Sequence, residues 1–89
     1  EPLSIAGLSD RVGVSARQME RLFISYFKRT PSQYYRELRL QRARHLLTSS
    51  HLSVTEIGVA CGFSSMSHFS KCYRNFYGMP PRRERKGLN

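Results

Sequence analysis

With 89 residues, 39% of them hydrophobic and 11% aromatic, the chain can bury one or two very small cores but cannot build the cleft of a large enzyme. It has no apolar run near the ~20 residues of a membrane-spanning helix and no charged-then-apolar leader, so we expect a soluble cytoplasmic protein. Fifteen Lys and Arg against six Asp and Glu give a net charge of +9. This charge predicts a polyanionic partner, and nucleic acid is favoured over a membrane surface because the charge is spread over helices that also carry a core stripe.

The first 30 residues have the pattern of two helices separated by a turn. Apolar periodicity predicts a short helix from about Ser4 to Val12, which Gly13 would end. Ser15 and Gln18 have the spacing of a capping box that opens a second helix, from Ala16 to about Arg29. The apolar stripe of that helix consists of Met19, Leu22, Phe23, Tyr26 and Phe27, and the basic residues opposite it are Arg17, Arg21 and Lys28. This is a helix-turn-helix arrangement with a basic outer face.

A long helix is predicted next. Thr30 can cap it and Pro31 suits its first position, and the pattern continues to about Thr48. Its broad apolar face contains Tyr35, Leu40, Ala43, Leu46 and Leu47. Arg39 projects into that apolar sector, so it either extends along the edge of the core or pairs with a carboxylate, for which Glu56 is a candidate.

The last third repeats the helix-turn-helix pattern. Ser53 and Glu56 have capping-box spacing at the start of a helix from Val54 to about Cys61, which Gly62 would end. From Ser65, a second helix has its apolar stripe at Phe69, Cys72, Tyr73, Phe76 and Tyr77, and its opposite face carries Ser67, Lys71 and Arg74. A buried stripe backed by a small, polar and basic face is typical of a helix that enters a DNA groove.

The two helix-turn-helix patterns are an internal repeat. The segment VGVS at residues 12–15 matches CGFS at residues 61–64 at an offset of 49. After the turn the offset is 50, at which Phe23 and Phe27 match Tyr73 and Tyr77, and Pro31 matches Pro81. We therefore predict an all-α chain: a first helix-turn-helix subdomain at residues 1–30, a linker helix at 31–49, and a second subdomain with a basic tail at 50–89.

The length of the linker helix has a geometric consequence. About 18 helical residues at 1.5 Å each span roughly 27 Å. This is comparable with the ~34 Å between successive major-groove faces on one side of B-DNA. One monomer is therefore expected to reach two adjacent turns of the groove.

Three segments resemble the DNA-binding domain of AraC/XylS-type bacterial transcription regulators: LSIAGLSDRVGVSARQMERLF, RELRLQRARHLL and LSVTEIGVACGFSSMSHFSKCYRNFYGMPP. The resemblance covers nearly the whole chain, and the last segment is close to a family signature. The segments ARQMERLF and ELRLQRARHLL resemble those of one subgroup of this family. In that subgroup the amino-terminal domain resembles class I glutamine amidotransferases or DJ-1/PfpI proteins without acting as an enzyme. That subgroup includes activators of amine and amino-acid catabolism.

The resemblance implies two homeodomain-like helix-turn-helix subdomains that read promoter DNA near the bacterial nucleoid and contact RNA polymerase. The family's effector-sensing domain and one further helix before Pro2 are outside this sequence, so we expect a fragment whose effector binds elsewhere. The family's first reading helix contacts bases from positions that are here Arg17, Gln18, Glu20 and Arg21. Its second contacts bases from positions that are here Met66, Ser67, His68, Ser70 and Lys71. Arg74 is expected on a phosphate.

The chemistry of these side chains leaves alternatives open. Arg17 and Arg21 can each donate to guanine O6 and N7, and Glu20 can accept from cytosine N4, but phosphate contact or solvation is the plainer role. Met66 can meet a thymine methyl group. His68 flanks the outer face and suits either a base or phosphate contact or a role on the helix surface.

The remaining residues favour structural or electrostatic roles. Cys61, His68 and Cys72 lack the paired spacing and the fourth ligand of a zinc site, so we expect both cysteines in the core and no metal. No catalytic constellation or cofactor motif is evident, so no enzymatic activity and no cofactor are expected. We expect the tail RRERKGLN to fray or to contact phosphates loosely, and we assign phosphate contacts to Lys28 and Arg82 as well.

Two other functions fit parts of the same pattern. The net charge alone would permit a non-specific DNA or RNA binder. The helices alone would permit a protein-interaction module that holds a polymerase subunit.

Overall fold

The computed structural model describes residue 13 and residues 15–88, and within them the chain forms five α-helices. In chain order these are α1 (Ala16–Phe27), α2 (Pro31–Ser49), α3 (Val54–Ala60), α4 (Met66–Tyr77) and α5 (Pro81–Leu88). The prediction of an all-α fold is confirmed, whereas the helix predicted over residues 4–12 lies outside the described residues. The chain divides into two compact units after Arg36, within α2. None of the described helices is long and apolar enough to cross a membrane.

Local hydrogen bonds set the starts of the helices, as the sequence predicts. The Ser15 hydroxyl accepts from the Gln18 backbone N–H at 3.1 Å, and the Ser15 N–H donates to the Gln18 side chain at 3.2 Å. Ser53 and Glu56 form the same reciprocal pair at 3.0 and 2.8 Å. Each pair satisfies two backbone N–H groups that the first turn would leave without acceptors. Both predicted capping boxes are therefore confirmed.

The first unit is held by an aromatic cluster between α1 and the start of α2. Phe23, Phe27 and Tyr34 stack with ring centroids 4.5, 4.8 and 5.4 Å apart. Leu22 and Tyr26, predicted to belong to the core stripe, are 62% and 80% exposed. The prediction was wrong for these two residues, because the ring contacts between α1 and Tyr34 are made by Phe23 and Phe27. α1 also ends earlier than predicted, since Lys28 adopts a left-handed conformation at the C-cap.

The second unit has a continuous apolar core. It is built by α2, α3, the turn after α3, and α4, through Leu40, Ala43, Leu47, Val54, Ile57, Cys61, Phe63, Phe69 and Tyr73. These are the residues that the helical periodicities place on the inner faces, with Phe63 added by the turn. The core therefore fixes α4 by its Phe69 and Tyr73 side, both fully buried.

Two glycines let α3 and α4 approach each other and turn. Gly62 has φ +88, a left-handed conformation that side chains other than glycine rarely adopt. The Phe63 N–H donates to the Gly58 carbonyl at 3.0 Å, which closes the turn. A Cβ atom on Gly58 would lie 2.8 Å from Cδ2 of Phe69, so only glycine permits this helix spacing.

The tail was expected to fray or to contact phosphates loosely, and the expectation of fraying was wrong, because residues 81–88 form a helix. α5 begins at Pro81, which is buried, and its Glu84 is 7% exposed. Arg85 donates from its guanidinium to three backbone carbonyls, those of Leu47 at 3.2 Å, Ser50 at 3.2 Å and Leu52 at 2.5 Å. Those carbonyls belong to the end of α2 and the loop after it, so α5 is part of the second unit.

Candidate nucleic-acid interface

α4 separates a buried side from an exposed, polar and basic side. Phe69 and Tyr73 face the core, while Ser67, Lys71 and Arg74 are exposed. All three exposed residues carry hydrogen-bond donors, and two carry a positive charge. The outer face is thus free to meet the acceptor-rich edges of bases or the phosphates of DNA.

The start of α4 is held in place by its own cap. The Ser65 hydroxyl accepts from the His68 backbone N–H at 3.1 Å. The exposed His68 imidazole packs edge-on against the buried Phe63 ring, with centroids 5.7 Å apart. The contact with Phe63 orients the His68 imidazole, which nevertheless remains exposed. This position is compatible with a base or phosphate contact and with a role on the helix surface.

Two predicted base-reading residues of α4 are less accessible than the others. Met66 is half-buried and packs against the core, and its Sδ accepts from the Thr55 hydroxyl at 3.9 Å. Ser70 is also half-buried. Base contact by either residue stays a prediction. Of the five predicted base-reading residues on α4, the exposed ones are Ser67, His68 and Lys71.

The outer face of α1 is exposed along its predicted reading positions. Arg17, Glu20 and Arg21 are all exposed. Gln18 is exposed too, but its side-chain oxygen accepts from the Ser15 N–H in the helix cap. Because a two-bond contact with adenine needs both the oxygen and the nitrogen of the amide, Gln18 has only its NH2 group left for DNA.

The predicted phosphate contacts differ in their present partners. The Lys28 ammonium donates to the Ser25 carbonyl at 2.8 Å and so neutralises part of the α1 C-terminus. Arg74 is exposed on α4, and Arg82 is exposed in the first turn of α5. Lys28 would have to exchange its carbonyl partner for a phosphate, whereas the other two side chains lie at the surface.

Two roles were expected for Arg39, extension along the edge of the core or a pair with Glu56, and the pair is absent from the structure, so that alternative was wrong. The Glu56 carboxylate accepts from the Ser53 N–H, and hydrogen bonds with the backbone and then the side chain of Ser53 lower the pKa of Glu56. Arg39 is exposed, with its Nε 3.5 Å from the point where a Cβ atom on Gly62 would lie. A carboxylate already held by a local cap is a poor partner for a cation on another helix, so Arg39 lies over the turn instead.

The cysteines occupy structural positions. Cys61 is a free, buried thiol and Cys72 is a free, half-buried one. Burial raises the pKa of the Cys61 thiol, which keeps it protonated at neutral pH. Among the residues that the structure describes, no three His, Cys, Asp or Glu side chains are grouped so that they could hold a metal ion.

Sequence reasoning missed the buried residues that α5 contributes beside α4. Glu84 pairs with Arg44 of α2 at 2.9 Å and accepts from the Tyr73 hydroxyl of α4. The signal was present in the repeat, because Pro31 matches Pro81 and a helix begins at each of them. The sequence of α5, PRRERKGL, is mostly charged and therefore gave no apolar pattern from which a packed helix could be predicted.

Comparison with known proteins agrees with this geometry. A family model described as a helix-turn-helix domain matches residues 8–87. The HTH-type transcriptional regulator ArgR of Pseudomonas aeruginosa is 53% identical over 85 residues, which are 96% of this chain and 26% of ArgR. The chain spans about a quarter of the length of the curated relatives it matches.

Solved structures give the same assignment. The crystal structure of a transcriptional regulator from Chromobacterium violaceum, described as an AraC-type DNA-binding domain-containing protein, has a TM-score of 0.87 and 53% identity. That match covers 99% of this chain and 79% of the other. The DNA-binding domain of AdpA, solved in complex with a target DNA, is 30% identical with a TM-score of 0.84, over 98% of this chain and 78% of that one. The chain belongs to the AraC-type family of helix-turn-helix DNA-binding domains of transcriptional regulators.

Proposed function

We propose that this chain is the sequence-specific DNA-binding output domain of a bacterial transcription regulator, and that α1 and α4 read two adjacent major-groove segments of one promoter site. The observation that carries the proposal is the recurrence, at an offset of 50 residues, of a serine-capped helix with two different sides. One side is aromatic, half-buried at Phe23 and Phe27 of α1 and buried at Phe69 and Tyr73 of α4, and the other side is exposed, polar and basic. The relative AdpA, whose domain was solved with its target DNA, supports a DNA partner for this surface.

Base reading rests on donors and acceptors at the outer faces. Arg17 and Arg21 of α1 can each make two hydrogen bonds to guanine, and Glu20 beside them can accept from cytosine. In α4, Ser67 offers a hydroxyl group on a short side chain, and Lys71 offers an ammonium group that lacks the two-point geometry of arginine. In this proposal α1 makes the stronger contacts to bases, whereas α4 positions the domain on DNA and discriminates less between bases.

The length of α2 supports two readers on one site. Nineteen residues at about 1.5 Å each would give a helix of roughly 29 Å. Major-groove faces on one side of B-DNA recur about every 34 Å. Two reading helices joined by such a linker suit one continuous site of two segments without a dimer.

Phosphate contacts supply much of the affinity in this proposal. The chain has a net charge of +9, and Arg74 and Arg82 are exposed on the unit that contains α4. Each neutralised phosphate releases counterions, so the affinity should fall steeply as salt rises.

The wider role follows from the relatives. They are named as transcriptional regulators and are about four times as long as this chain. In a protein of that kind, the effector would bind a domain outside this chain, and the DNA-binding domain would meet RNA polymerase at a promoter in the cytoplasm. We propose that the domain works by binding alone, without catalysis.

A competition titration tests sequence specificity. A duplex selected from a random pool should compete much better than a scrambled duplex of equal length and composition. Equal competition would show a non-specific nucleic-acid binder, which the net charge alone would explain. Binding to a polymerase subunit that is insensitive to DNA, with a shallow salt slope, would instead favour the protein-interaction function.

A further inference from the structure

A single carboxylate oxygen joins three helices of the second unit. Oε1 of Glu84, on α5, accepts a hydrogen bond from the Tyr73 hydroxyl of α4. The same oxygen pairs with Nε of Arg44, on α2, at 2.9 Å. The Glu84 side chain is 8% exposed, whereas that of Arg44 is 50% exposed. The network therefore has a buried junction and one end at the surface.

Arg44 also contacts the reading helix α4 directly. Its guanidinium lies over the Tyr77 ring, 4.8 Å from the centroid, and Tyr77 stacks on Tyr73 at 4.7 Å. Burial, followed by the hydrogen bond and the negative charge of Glu84, raises the pKa of Tyr73. The Tyr73 hydroxyl is therefore a neutral donor at physiological pH, and its bond to the carboxylate is maintained.

α5 is anchored independently of this junction. Arg85 donates to the carbonyls of Leu47, Ser50 and Leu52. These hydrogen bonds hold the backbone of α5, and therefore Glu84, in place against the end of α2. A carboxylate held in this way fixes α4 relative to α2.

The first unit has a different residue at the position equivalent to Glu84. At the offset of 50, Phe23, Phe27 and Tyr34 occupy the positions of Tyr73, Tyr77 and Glu84. The rings of Phe23, Phe27 and Tyr34 stack on one another. Apolar contacts carry little directional preference, whereas a hydrogen bond to a buried carboxylate fixes an angle as well as a distance. Glu84 therefore gives α4 a directional contact at a position where the first unit has the aromatic ring of Tyr34.

We infer that Glu84 is a positioning residue for DNA reading: through Tyr73 and Arg44 it fixes the rotation of α4 against α2, and so sets where Ser67 and Lys71 meet the bases. Tyr73 and Lys71 are two residues apart, which puts them about 200° apart around the helix. A bond that holds Tyr73 inward therefore holds Lys71 outward. Exposed and buried ion pairs alike add little net stability, so we assign the pair of half-exposed Arg44 and buried Glu84 a role in orienting α4. The inference rests on the proposed function.

The test uses the 89-residue chain and a set of duplexes, each carrying one changed base pair in a selected site. Lys71→Ala and Arg21→Ala first show which positions belong to α4 and which to α1. Glu84→Gln removes the charge at nearly constant shape, and Tyr73→Phe removes only the donor. Arg83→Gln, at the exposed neighbouring position on α5, is the matched control.

We expect Glu84→Gln and Tyr73→Phe each to reduce discrimination at the α4 positions by about threefold to tenfold, the size of a lost coupling between neighbouring side chains. Discrimination at the α1 positions should change by less than about twofold, because distant sites behave independently. Arg83→Gln should weaken all duplexes alike and leave discrimination unchanged at both sets.

Several results would overturn the inference. Unchanged discrimination in folded variants, or an equal loss at the α1 and α4 positions, would remove the positioning role. If both variants lost their cooperative unfolding transition, the network would serve core stability alone. If the wild-type chain failed to discriminate any duplex, the proposed function would fail and this inference with it. If the wild type discriminates and the variants match it, the inference fails alone.

Discussion

Gly58 lies where α3 comes closest to α4, and replacing it with alanine tests that packing directly. A Cβ atom there would be 2.8 Å from Cδ2 and 3.2 Å from Cγ of Phe69. Carbon atoms in contact are normally about 3.5–4.0 Å apart, so the nearest pair is short by at least about 0.7 Å. Phe69 is fully buried and stacks against Phe63 at 5.0 Å and Tyr73 at 5.8 Å, so moving its ring would disturb both contacts.

The magnitude follows from two opposing effects. Forcing an extra methyl group into a packed core typically costs about 1–3 kcal/mol. Alanine is better than glycine inside a helix by about 0.5–1 kcal/mol. We therefore expect Gly58→Ala to lower the free energy of unfolding by roughly 1 kcal/mol, within a range of about 0–2.5 kcal/mol. For a chain of this size, about 1 kcal/mol corresponds to a fall in Tm of roughly 4–8 °C.

Thermal unfolding followed by circular dichroism measures the effect, and Gly87→Ala is the matched control. Gly87 also lies in a helix, but a Cβ atom there would meet nothing within 4 Å. We expect that control to match or slightly exceed wild-type stability. Equal Tm values for Gly58→Ala and Gly87→Ala would refute the close packing of α3 on α4.

Three further results are expected. Arg21→Ala and Lys71→Ala should each weaken specific binding by about 1–3 kcal/mol in a titration with selected DNA, and relax base preference at different positions of one site. Arg74→Ala should weaken binding to all duplexes alike and reduce the slope of log affinity against log salt by about 1. Because hydrogen bonds with Ser53 lower the pKa of Glu56, its stabilisation is present above the ordinary Glu pKa of about 4.3 and is lost as pH falls through the lowered value. The Tm difference between wild type and Glu56→Ala should therefore shrink in acid.

Each expectation has a contrary outcome. Footprints of Arg21→Ala and Lys71→Ala that change at the same base pairs would contradict the two-reader arrangement. A change of base preference in Arg74→Ala would assign that residue to base reading. A Tm difference for Glu56→Ala that stays constant from neutral to strongly acid pH would mean that the cap does not depend on the carboxylate charge.

The sequence predicts best those features that are decided within one turn of helix. Ser15 and Ser53 mark the helix starts because their capping partners are three residues away. Gly62 marks the turn because the left-handed backbone there favours glycine. The helical period also predicts correctly that Phe69 and Tyr73 of α4 are buried, but it was wrong for Phe76 of the same stripe, which is 41% exposed.

Features that depend on distant partners were missed or misassigned. α5 has the charged sequence PRRERKGL, and its helix packs inward because Glu84 meets Arg44 and Tyr73, which are 40 and 11 residues away. A helical projection gave the direction of Arg39 but not its distance from Glu56, whose carboxylate is already taken by the cap. The identity of the bases that α1 and α4 contact also depends on a partner, and it stays a prediction.

The proposed function requires that α1 and α4 of one chain read one continuous DNA site. Selection of bound duplexes from a random pool, followed by sequencing, shows how many segments the chain reads. We expect a motif of two preferred blocks whose centres are about 10–10.5 base pairs apart, one helical turn of DNA. A motif with a single block, or recovered duplexes with no common sequence, would contradict it.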